Sequence, residues 1–279
     1  MWKTSRREIP LTHPLVIAIL NVTPDSFSDG GRFLDTDAAL RHAENLIHEG
    51  AVILDVGGES TRPGSGRVNV EDEIERVIPA IRAITARFDV PISVDTSKSE
   101  VALAAIDAGA EIINDISGLR FDPKIADVAA ETGAGLVLMH SRGEFETMHS
   151  QSPVDNILAE VAADFRRSTD LAAASGVAEA QIVLDIGIGF GKTLDQNLEL
   201  LAKLDRLIAD FPQFPMLVGA SRKSFIGKLL DDAPTDKRLF GSLAAAAIAV
   251  WNGASMIRAH DIEETVETLR LVSNIRQQI

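Results

Sequence analysis

Residues 50–55 have the sequence Gly-Ala-Val-Ile-Leu-Asp, in which a glycine-alanine pair precedes three apolar residues and one carboxylate. Further Gly-Ala pairs begin at Gly109, Gly133 and Gly253, and each stands shortly before another apolar run. Glycine commonly ends a helix, and a short apolar run is typical of a strand buried on both faces of a parallel sheet. The repeat therefore predicts successive helix-to-strand units.

A polar residue follows each apolar run, at the point where the predicted strand ends. The markers are Asn21, Asp55, Asp95, Asn114, His140, Asp185, Ser221 and Arg258. Where the Gly-Ala pair is present, the polar residue lies five or seven positions after its glycine, as Asp55, Asn114, His140, Arg258 and His260 do. Because side chains alternate between the two faces of a strand, positions five and seven residues after the glycine lie on the same face. A ligand site would explain polar side chains at the ends of otherwise apolar strands.

Eight strand-helix units in about 250 residues predict an α/β fold, a single (β/α)8 TIM barrel with its active site at the carboxyl ends of the strands. We assign residues 1–15 to an extended N-terminal segment and residues 16–279 to the barrel domain. An open doubly wound sheet is the competing architecture. The predicted strands are 16–20, 52–54, 92–94, 112–113, 136–139, 182–184, 216–218 and 256–257.

Two helices are predicted in more detail. Residues 37–49 have apolar positions at three-and-four spacing, with Thr36 or Asp37 as the N-terminal cap and Gly50 as the end. Residues 243–251 are apolar and rich in alanine, which favours a closely packed helix and makes them a weak candidate for a dimer contact. This run is far shorter than the roughly 20 residues that span a bilayer.

Composition restricts the possible partners and the compartment. The 279 residues carry a net charge of −14, which argues against binding to nucleic acid or to an anionic membrane. The absence of cysteine excludes disulfides and thiolate chemistry, and it fits a reducing, cytoplasmic location. We find no pattern of a signal peptide and no histidine spacing of a tightly bound zinc.

The glycine-rich segment 187–193, Gly-Ile-Gly-Phe-Gly-Lys-Thr, is close to a phosphate-binding loop but lacks the glycine that the motif requires at position 186. Its glycines alternate, so the dinucleotide fingerprint is not met either. We interpret the segment as a flexible turn.

Eight separate stretches resemble the family of dihydropteroate synthases. They are LNVTPDSFSDGG at 20–31, DVGGESTRPG at 55–64, SVDT at 93–96, NDISG at 114–118, LMH at 138–140, DIGIGFGK at 185–192, SRKS at 221–224 and RAHD at 258–261. The resemblance runs from about residue 16 to the C-terminus. It implies a barrel, often dimeric, that condenses 6-hydroxymethyl-7,8-dihydropterin diphosphate with 4-aminobenzoate, releases pyrophosphate in the presence of Mg²⁺, and is a target of sulfonamides.

The resemblance also implies site residues. The pterin would be bound by Asp95, Asn114, Asp185, Lys223 and Met139, and 4-aminobenzoate by Thr61, Pro63, Phe190 and Ser221. The diphosphate would contact Asn21, Arg62, Arg258 and His260, with Asn21 also reaching Mg²⁺ and with Lys223, Arg258, His260 and Asn21 acting in catalysis. A carboxylate suits the pterin because it accepts two parallel N–H bonds from a guanidine-like edge. We further expect residues 23–32, including Phe27, to close over the site as a mobile lid.

Several alternatives remain open at this stage. Asp95 and Asp185 could cap helices, and Arg258 could form a structural ion pair with Asp55. The function could instead be methyl transfer from a reduced folate to a corrinoid protein, Schiff-base aldol chemistry on Lys223, or the binding of a partner by a catalytically silent relative. The cluster of Arg222, Lys223 and Arg258 favours a substrate that carries a diphosphate.

Overall fold

The computed structural model describes residues 1–23, 32–61, 65–148 and 150–278, with the backbone alone described for residues 32–35. The strands are β1 (Trp2–Lys3), β2 (Glu8–Ile9), β3 (Leu15–Asn21), β4 (Ile53–Gly57), β5 (Ile92–Asp95), β6 (Ile112–Asp115), β7 (Gly135–Met139), β8 (Ile182–Asp185), β9 (Met216–Val218) and β10 (Met256–Ala259). The helices are α1 (Arg32–His48), α2 (Val70–Arg87), α3 (Ser99–Ala108), α4 (Ile125–Thr132), α5 (Ile157–Ala174), α6 (Leu194–Ala202), α7 (Leu204–Asp210), α8 (Ser224–Leu229), α9 (Leu239–Trp251) and α10 (Ile262–Arg276).

Strands β3 to β10 form a closed barrel in which every neighbouring pair is parallel. Closure is made by β10, which pairs with β3 on one side and with β9 on the other. Each of the predicted strands is present, so the TIM-barrel prediction is confirmed and the open doubly wound alternative is wrong.

The inner face of the barrel changes from apolar to polar along each strand. Its lower layer includes Ile17, Ile53, Ile112, Val137, Val183, Leu217 and Met256, which pack together as one buried cluster. Two residues further on, the same face carries Asp55 on β4, Asn114 on β6, Asp185 on β8 and Arg258 on β10. The alternation predicted from the Gly-Ala offsets therefore places polar side chains at the carboxyl mouth of the barrel.

Strand β7 is an exception to the predicted alternation. It begins two residues after Gly133, whereas β4, β6 and β10 begin three residues after their glycines. A shift of one residue exchanges the two faces of a strand. Leu138 accordingly packs in the outer cluster between strands and helices, while Met139 packs against Phe190 near the mouth. The prediction that His140 shares the orientation of Asp55 and Arg258 is therefore wrong.

The glycines of the repeat do end the helices, as predicted. Gly50, Gly109, Gly133 and Gly253 all have positive φ angles, of 103°, 115°, 72° and 107°. A side chain would be strained in this left-handed conformation, which turns the chain from each helix into the next strand.

The start of α1 was predicted wrongly. The helix begins at Arg32, so Thr36 and Asp37 lie inside it and neither is its cap. Acidic and hydroxyl side chains favour helix caps but are also accommodated in the first turns, where the helix dipole favours negative charge. The predicted end is close, because α1 ends at His48 just before Gly50.

The alanine-rich run forms the major part of α9, as predicted, and α9 packs against α10 on the outside of the barrel. Among the described residues, no helix combines the length and the apolar character that a membrane crossing demands.

The N-terminal segment closes the bottom of the barrel. Strands β1 and β2 form an antiparallel hairpin, and the Trp2 side chain is completely buried within the lower inner layer. Its indole N–H donates to the carbonyl oxygen of Gln181 at 2.8 Å. Gly135 allows this close approach, since a Cβ atom there would lie only 3.2 Å from the indole ring. The hairpin thus seals the barrel at the end opposite the polar mouth.

Replacement of Trp2 by alanine should lower the free energy of unfolding by about 3–5 kcal/mol, because it leaves a cavity in the barrel and removes a buried hydrogen bond. Urea denaturation monitored by far-ultraviolet circular dichroism would measure the change. Lys3→Ala, on the exposed side of the same hairpin, is the matched control. Equal stabilities of the two variants would contradict a plugging role for Trp2.

Candidate active site

Arg258 binds two carboxylates in the mouth of the barrel. Its Nε lies 2.6 Å from Oδ2 of Asp55, and one of its terminal nitrogens lies 2.7 Å from Oδ2 of Asp95. Asn114 donates a hydrogen bond of 3.0 Å to the same oxygen of Asp55. The structural ion pair between Arg258 and Asp55, considered as an alternative from the sequence, is therefore present and is extended by Asp95.

These charges are held in an environment that excludes much of the solvent. Burial raises the pKa of Asp95 to about 7, with Arg258 opposing the rise and Asp55 adding to it. The other oxygen of Asp55, Oδ1, is buried and has no hydrogen-bond partner among the described residues. The mouth thus holds a carboxylate whose charge depends on pH near neutrality and a second one with unused acceptor capacity.

Asp185 and Lys223 lie beside this ion pair. A Cβ atom on Gly219 would lie 4.0 Å from Oδ2 of Asp185 and 3.7 Å from Cβ of Arg258, so both side chains border the same small space. Burial raises the pKa of Asp185. The rise is opposed by the positive charges of Lys223 and Arg258 and by a hydrogen bond from the backbone N–H of Gly187. Burial lowers the pKa of Lys223 to about 8, while Asp185 raises it. The three predicted residues therefore share one site.

Neither aspartate caps a helix. The N-cap of α3 is Lys98 and that of α6 is Thr193, and the latter accepts from the backbone of Gln196. Asp185 instead accepts a hydrogen bond from the backbone N–H of Gly187 at 2.8 Å. The capping interpretation of Asp95 and Asp185 is therefore wrong, and Asp95 is instead paired with Arg258.

An apolar wall lies next to the charged groups. Met139 and Phe190 are buried in one cluster with Ile116, Phe145 and Met148. The ammonium group of Lys223 lies 4.4 Å from the centre of the Phe190 ring and donates to the carbonyl oxygen of Ile188. A flat aromatic ligand could pack on this wall while its polar edge reaches Asp185.

The opposite side of the mouth is formed by the chain after β9 and β10. The Nδ1 atom of His260 lies 3.1 Å from the hydroxyl oxygen of Ser221, which also accepts from the backbone N–H of His260 at 3.2 Å. Arg222 binds Asp261 through two of its nitrogens. The charge of Arg222, which we expected in a basic cluster with Lys223 and Arg258, is thus paired with Asp261.

Asn21 lies at the end of β3, level with Gly57 and Asp95 on the neighbouring strands. A Cβ atom on Gly57 would lie 3.5 Å from Oδ1 of Asn21 and 3.7 Å from Oδ2 of Asp95. The missing side chain at Gly57 therefore leaves two oxygen atoms facing one gap. Thr61 is partly buried, whereas the predicted contacts of Arg62, Pro63 and Phe27, and most of the predicted lid at 23–32, lie outside the described residues.

Sequence reasoning missed Lys192. Its ammonium group is directed at the carbonyl oxygens of Gly187 at 2.7 Å, Phe190 at 3.0 Å and His140 at 3.2 Å. The near-miss phosphate motif is thus a tight loop closed on its own lysine, and it is not the flexible turn that we expected. Glycines with positive φ at 187, 189 and 191 next to a lysine were the signal that could have indicated carbonyls converging on a cation.

A metal site made by protein side chains alone is not visible in the part of the chain that the structure describes. There, no group of three or more histidine, aspartate or glutamate side chains is arranged to hold an ion.

Comparison with known proteins identifies the family. The family model described as pterin binding enzyme matches residues 17–260. Dihydropteroate synthase of Escherichia coli K12 is 50% identical over 266 residues, covering 95% of this chain and 92% of that protein. The enzyme of Bacillus subtilis is 45% identical, covering 92% and 87%.

Solved structures of dihydropteroate synthases are similar to this chain in both fold and sequence. Yersinia pestis dihydropteroate synthase in a sulfonamide drug complex has a TM-score of 0.89 and 43% identity, with 96% of each chain covered. The Xanthomonas albilineans enzyme with 4-aminobenzoic acid has a TM-score of 0.90 and 41% identity, covering 97% of this chain and 96% of that one.

The fold and the polar mouth of the barrel define a TIM-barrel enzyme that acts at the carboxyl ends of its strands. The chain belongs to the pterin-binding enzymes and, within them, to the dihydropteroate synthase family. It is a transferase with dihydropteroate synthase activity.

The two shifted pKa values predict a bell-shaped dependence of kcat/KM for the pterin substrate on pH. The ratio should rise as pH increases through about 7, where Asp95 becomes an ionised acceptor, and fall above about 8, where Lys223 loses its proton. Initial rates from about pH 6 to about pH 9 at saturating 4-aminobenzoate would measure both limbs. Asp95→Asn should remove the acidic limb, and a profile that keeps this limb in the variant would contradict the assignment.

Proposed function

We propose that Asp185 and Asp95 accept the guanidine-like edge of the dihydropterin, with Asn114 and Lys223 completing the contacts and Met139 packing on the ring. The observation that carries this proposal is that Asp185 and Arg258 border the space beside Gly219 and that both act on the charge of the buried Lys223. An amino group and a ring N–H present two parallel donors, which one carboxylate can bind in a fork. This match of donors and acceptors selects a pterin over an aromatic ring without such an edge.

We assign 4-aminobenzoate to the outer part of the same mouth, against Phe190, Ser221, Thr61 and Pro63. Support comes from Phe190, whose ring is covered by the Lys223 ammonium group at 4.4 Å, and from Ser221, which binds His260 on the opposite side. The stem of Lys223 would line the ring of the substrate, whose carboxylate would point outward from the mouth. The amine would then point inward, toward the carbon that carries the diphosphate.

The diphosphate would lie between Arg258, His260 and Asn21, with Arg62 contributing from the loop after β4. Arg258 has two functions in this proposal: it organises Asp55 and Asp95, and it supplies positive charge close to the leaving group. Charge accumulates on the diphosphate oxygens as the C–O bond breaks, and donors that are already in place lower the barrier.

The amine of 4-aminobenzoate is neutral at pH 7 and can attack without a strong base. The C–O bond to the diphosphate breaks, the C–N bond forms, and the ammonium proton that results passes to solvent or to pyrophosphate. Positioning of the two substrates and stabilisation of the leaving group are therefore the main tasks of the protein. No nucleophilic side chain takes part in this scheme.

We further propose that Mg²⁺ accompanies the diphosphate near Asn21. The two oxygens that face the gap beside Gly57 fit a cation that prefers oxygen ligands and keeps several waters. When bound, the ion would neutralise part of the charge on the diphosphate. Asn21 would hold it on the protein side.

We also infer a homodimer in the cytoplasm. Phe240 is 81% exposed, and Ile248 and Trp251 on α9 and Leu271 and Ile275 on α10 are exposed large apolar residues too. These two helices pack against each other, so the residues lie on adjoining elements, and a second copy of the chain would remove them from water. The lack of cysteine suits a reducing compartment.

Asp185→Asn should weaken binding of the pterin diphosphate by roughly 1.5–3 kcal/mol, because the amide replaces one acceptor oxygen with a donor. Isothermal titration calorimetry would measure the change in Kd. Asp210→Asn, at the exposed end of α7, is the matched control and should bind as the parent does. An unchanged affinity of the Asp185 variant would exclude the fork.

Pyrophosphate release that requires both substrates tests the activity itself, and variants of the mouth test the roles. His260→Ala and Arg258→Lys should lower kcat by about 10²-fold, the usual effect of removing one donor to a developing charge. Their affinity for the free pterin alcohol should stay close to that of the parent. Lysine is used at 258 because alanine would leave Asp55 and Asp95 without a cation. If a variant lost as much affinity for the free pterin alcohol as for the pterin diphosphate, a role of the residue at the leaving group would be refuted.

A further inference from the structure

A second cluster of buried charges lies behind the mouth, between the loop after β4 and helices α2 and α3. Lys98 lies 3.1 Å from Oε2 of Glu59 and also binds Oε2 of Glu73. The exposed fractions of the three side chains are 8%, 6% and 0%, respectively. None of these three residues is assigned a contact with the pterin or with 4-aminobenzoate in the proposed function.

We propose that Lys98 is a positioning residue for 4-aminobenzoate, which acts by fixing Glu59, two residues before Thr61, at the start of the loop after β4. The inference rests on the proposed function, because it takes that loop to border the 4-aminobenzoate site. Its consequence is specific to one substrate, since the pterin is assigned to other strands.

Glu59 fastens both ends of this loop. Its Oε1 accepts a hydrogen bond from the backbone N–H of Val68, nine residues further along the chain. Within the loop, the Ser65 hydroxyl donates to the carbonyl oxygen of Ser60. These bonds hold the described residues at the start of the loop, Ser60 and Thr61, in place relative to the barrel. Glu59 can do so only while its own side chain is fixed.

The start of the loop is pressed against α2. A Cβ atom on Gly58 would lie 2.7 Å from a methyl group of Val77 and 3.3 Å from Cγ of Glu73. Arg76 donates to the carbonyl oxygen of Gly58 at 2.9 Å. Lys98 therefore acts on a chain segment that is already seated, and its ammonium group sets the direction of the Glu59 side chain.

The charges make a role in stability alone a poor explanation. Two carboxylates around one ammonium group leave an excess of negative charge in a buried place, and burial raises the pKa of Glu73. Oε1 of Glu73 has no hydrogen-bond partner among the described residues. Buried ion pairs often stabilise less than apolar residues of similar size would. A cluster of this kind is better explained by the geometry that it imposes.

Lys98 also connects the two substrate sites. It is the N-cap residue of α3, three positions after Asp95, and its backbone N–H lies 3.3 Å from the hydroxyl oxygen of Thr96. The strand end assigned to the pterin and the loop assigned to 4-aminobenzoate are thus linked through one side chain. Substitution of Lys98 should move the loop and leave β5 in place, because β5 is hydrogen-bonded to β4 and β6 in the barrel.

The test compares Lys98→Met, Lys98→Arg and Glu59→Gln in the full-length enzyme, with kcat and the Michaelis constant for each substrate as readouts. Lys98→Met should raise the Michaelis constant for 4-aminobenzoate by about tenfold, equivalent to about 1.4 kcal/mol, with that for the pterin diphosphate within about twofold of the parent. Glu59→Gln should shift the same constant in the same direction. Lys98→Arg, which keeps the charge, should recover most of the loss. Lys203→Met, which removes an exposed pair with Glu199, is the matched control and should change neither constant.

Unfolding midpoints separate positioning from stability. If Lys98→Met fails to fold, Lys98→Met combined with Glu73→Gln removes the more deeply buried of the two carboxylate charges left without a cation, and it should still raise the Michaelis constant for 4-aminobenzoate. Equal changes in both Michaelis constants, or an unchanged constant for 4-aminobenzoate in a folded variant, would overturn the inference. Failure of the proposed 4-aminobenzoate site would look different, because Thr61→Ala would then itself leave the Michaelis constant for 4-aminobenzoate unchanged.

Discussion

The buried guanidinium group of Arg258 is the interaction on which the mouth of the barrel depends. It bridges Asp55 and Asp95, which come from strands on the other side of the seam that β10 closes. Removing one partner from a buried charge pair is costly, because the remaining charge loses both water and its counterion. Closure of the barrel and assembly of the site are therefore coupled through one side chain.

The same coupling explains how a strongly acidic protein can bind a diphosphate. The net charge is −14, yet Arg258 and His260 at the end of β10 and Lys223 after β9 are brought to the mouth by two separate chain segments. Asp185 and Asp95 keep this positive charge local, and their shifted pKa values show that burial opposes ionisation. A pterin edge that donates to such carboxylates and a diphosphate that meets the cations are complementary to this arrangement.

Much of the fold was predictable because its signals are local, whereas pairings between distant segments were not. Apolar runs ending in Asp55 or Asp185 follow from the burial of parallel strands, and the glycines that end the helices follow from backbone sterics. The site residues were named chiefly through a resemblance of loops, and those that the structure describes lie at or after the carboxyl ends of the barrel strands. The one-residue shorter turn before β7 reversed the expected face of His140, a shift that no periodicity displays. The pairing of Lys98 with Glu73 is decided by packing in three dimensions, which a single sequence does not show.

A crystal structure of the enzyme with the pterin diphosphate would show whether the two halves of this substrate meet the groups assigned to them. We expect the amino edge of the pterin to contact Asp185 and Asp95 and the diphosphate to contact Arg258 and His260, with the ion pair from Arg258 to Asp55 retained. A pterin bound away from Asp185, or a diphosphate bound without Arg258 and His260, would contradict this expectation.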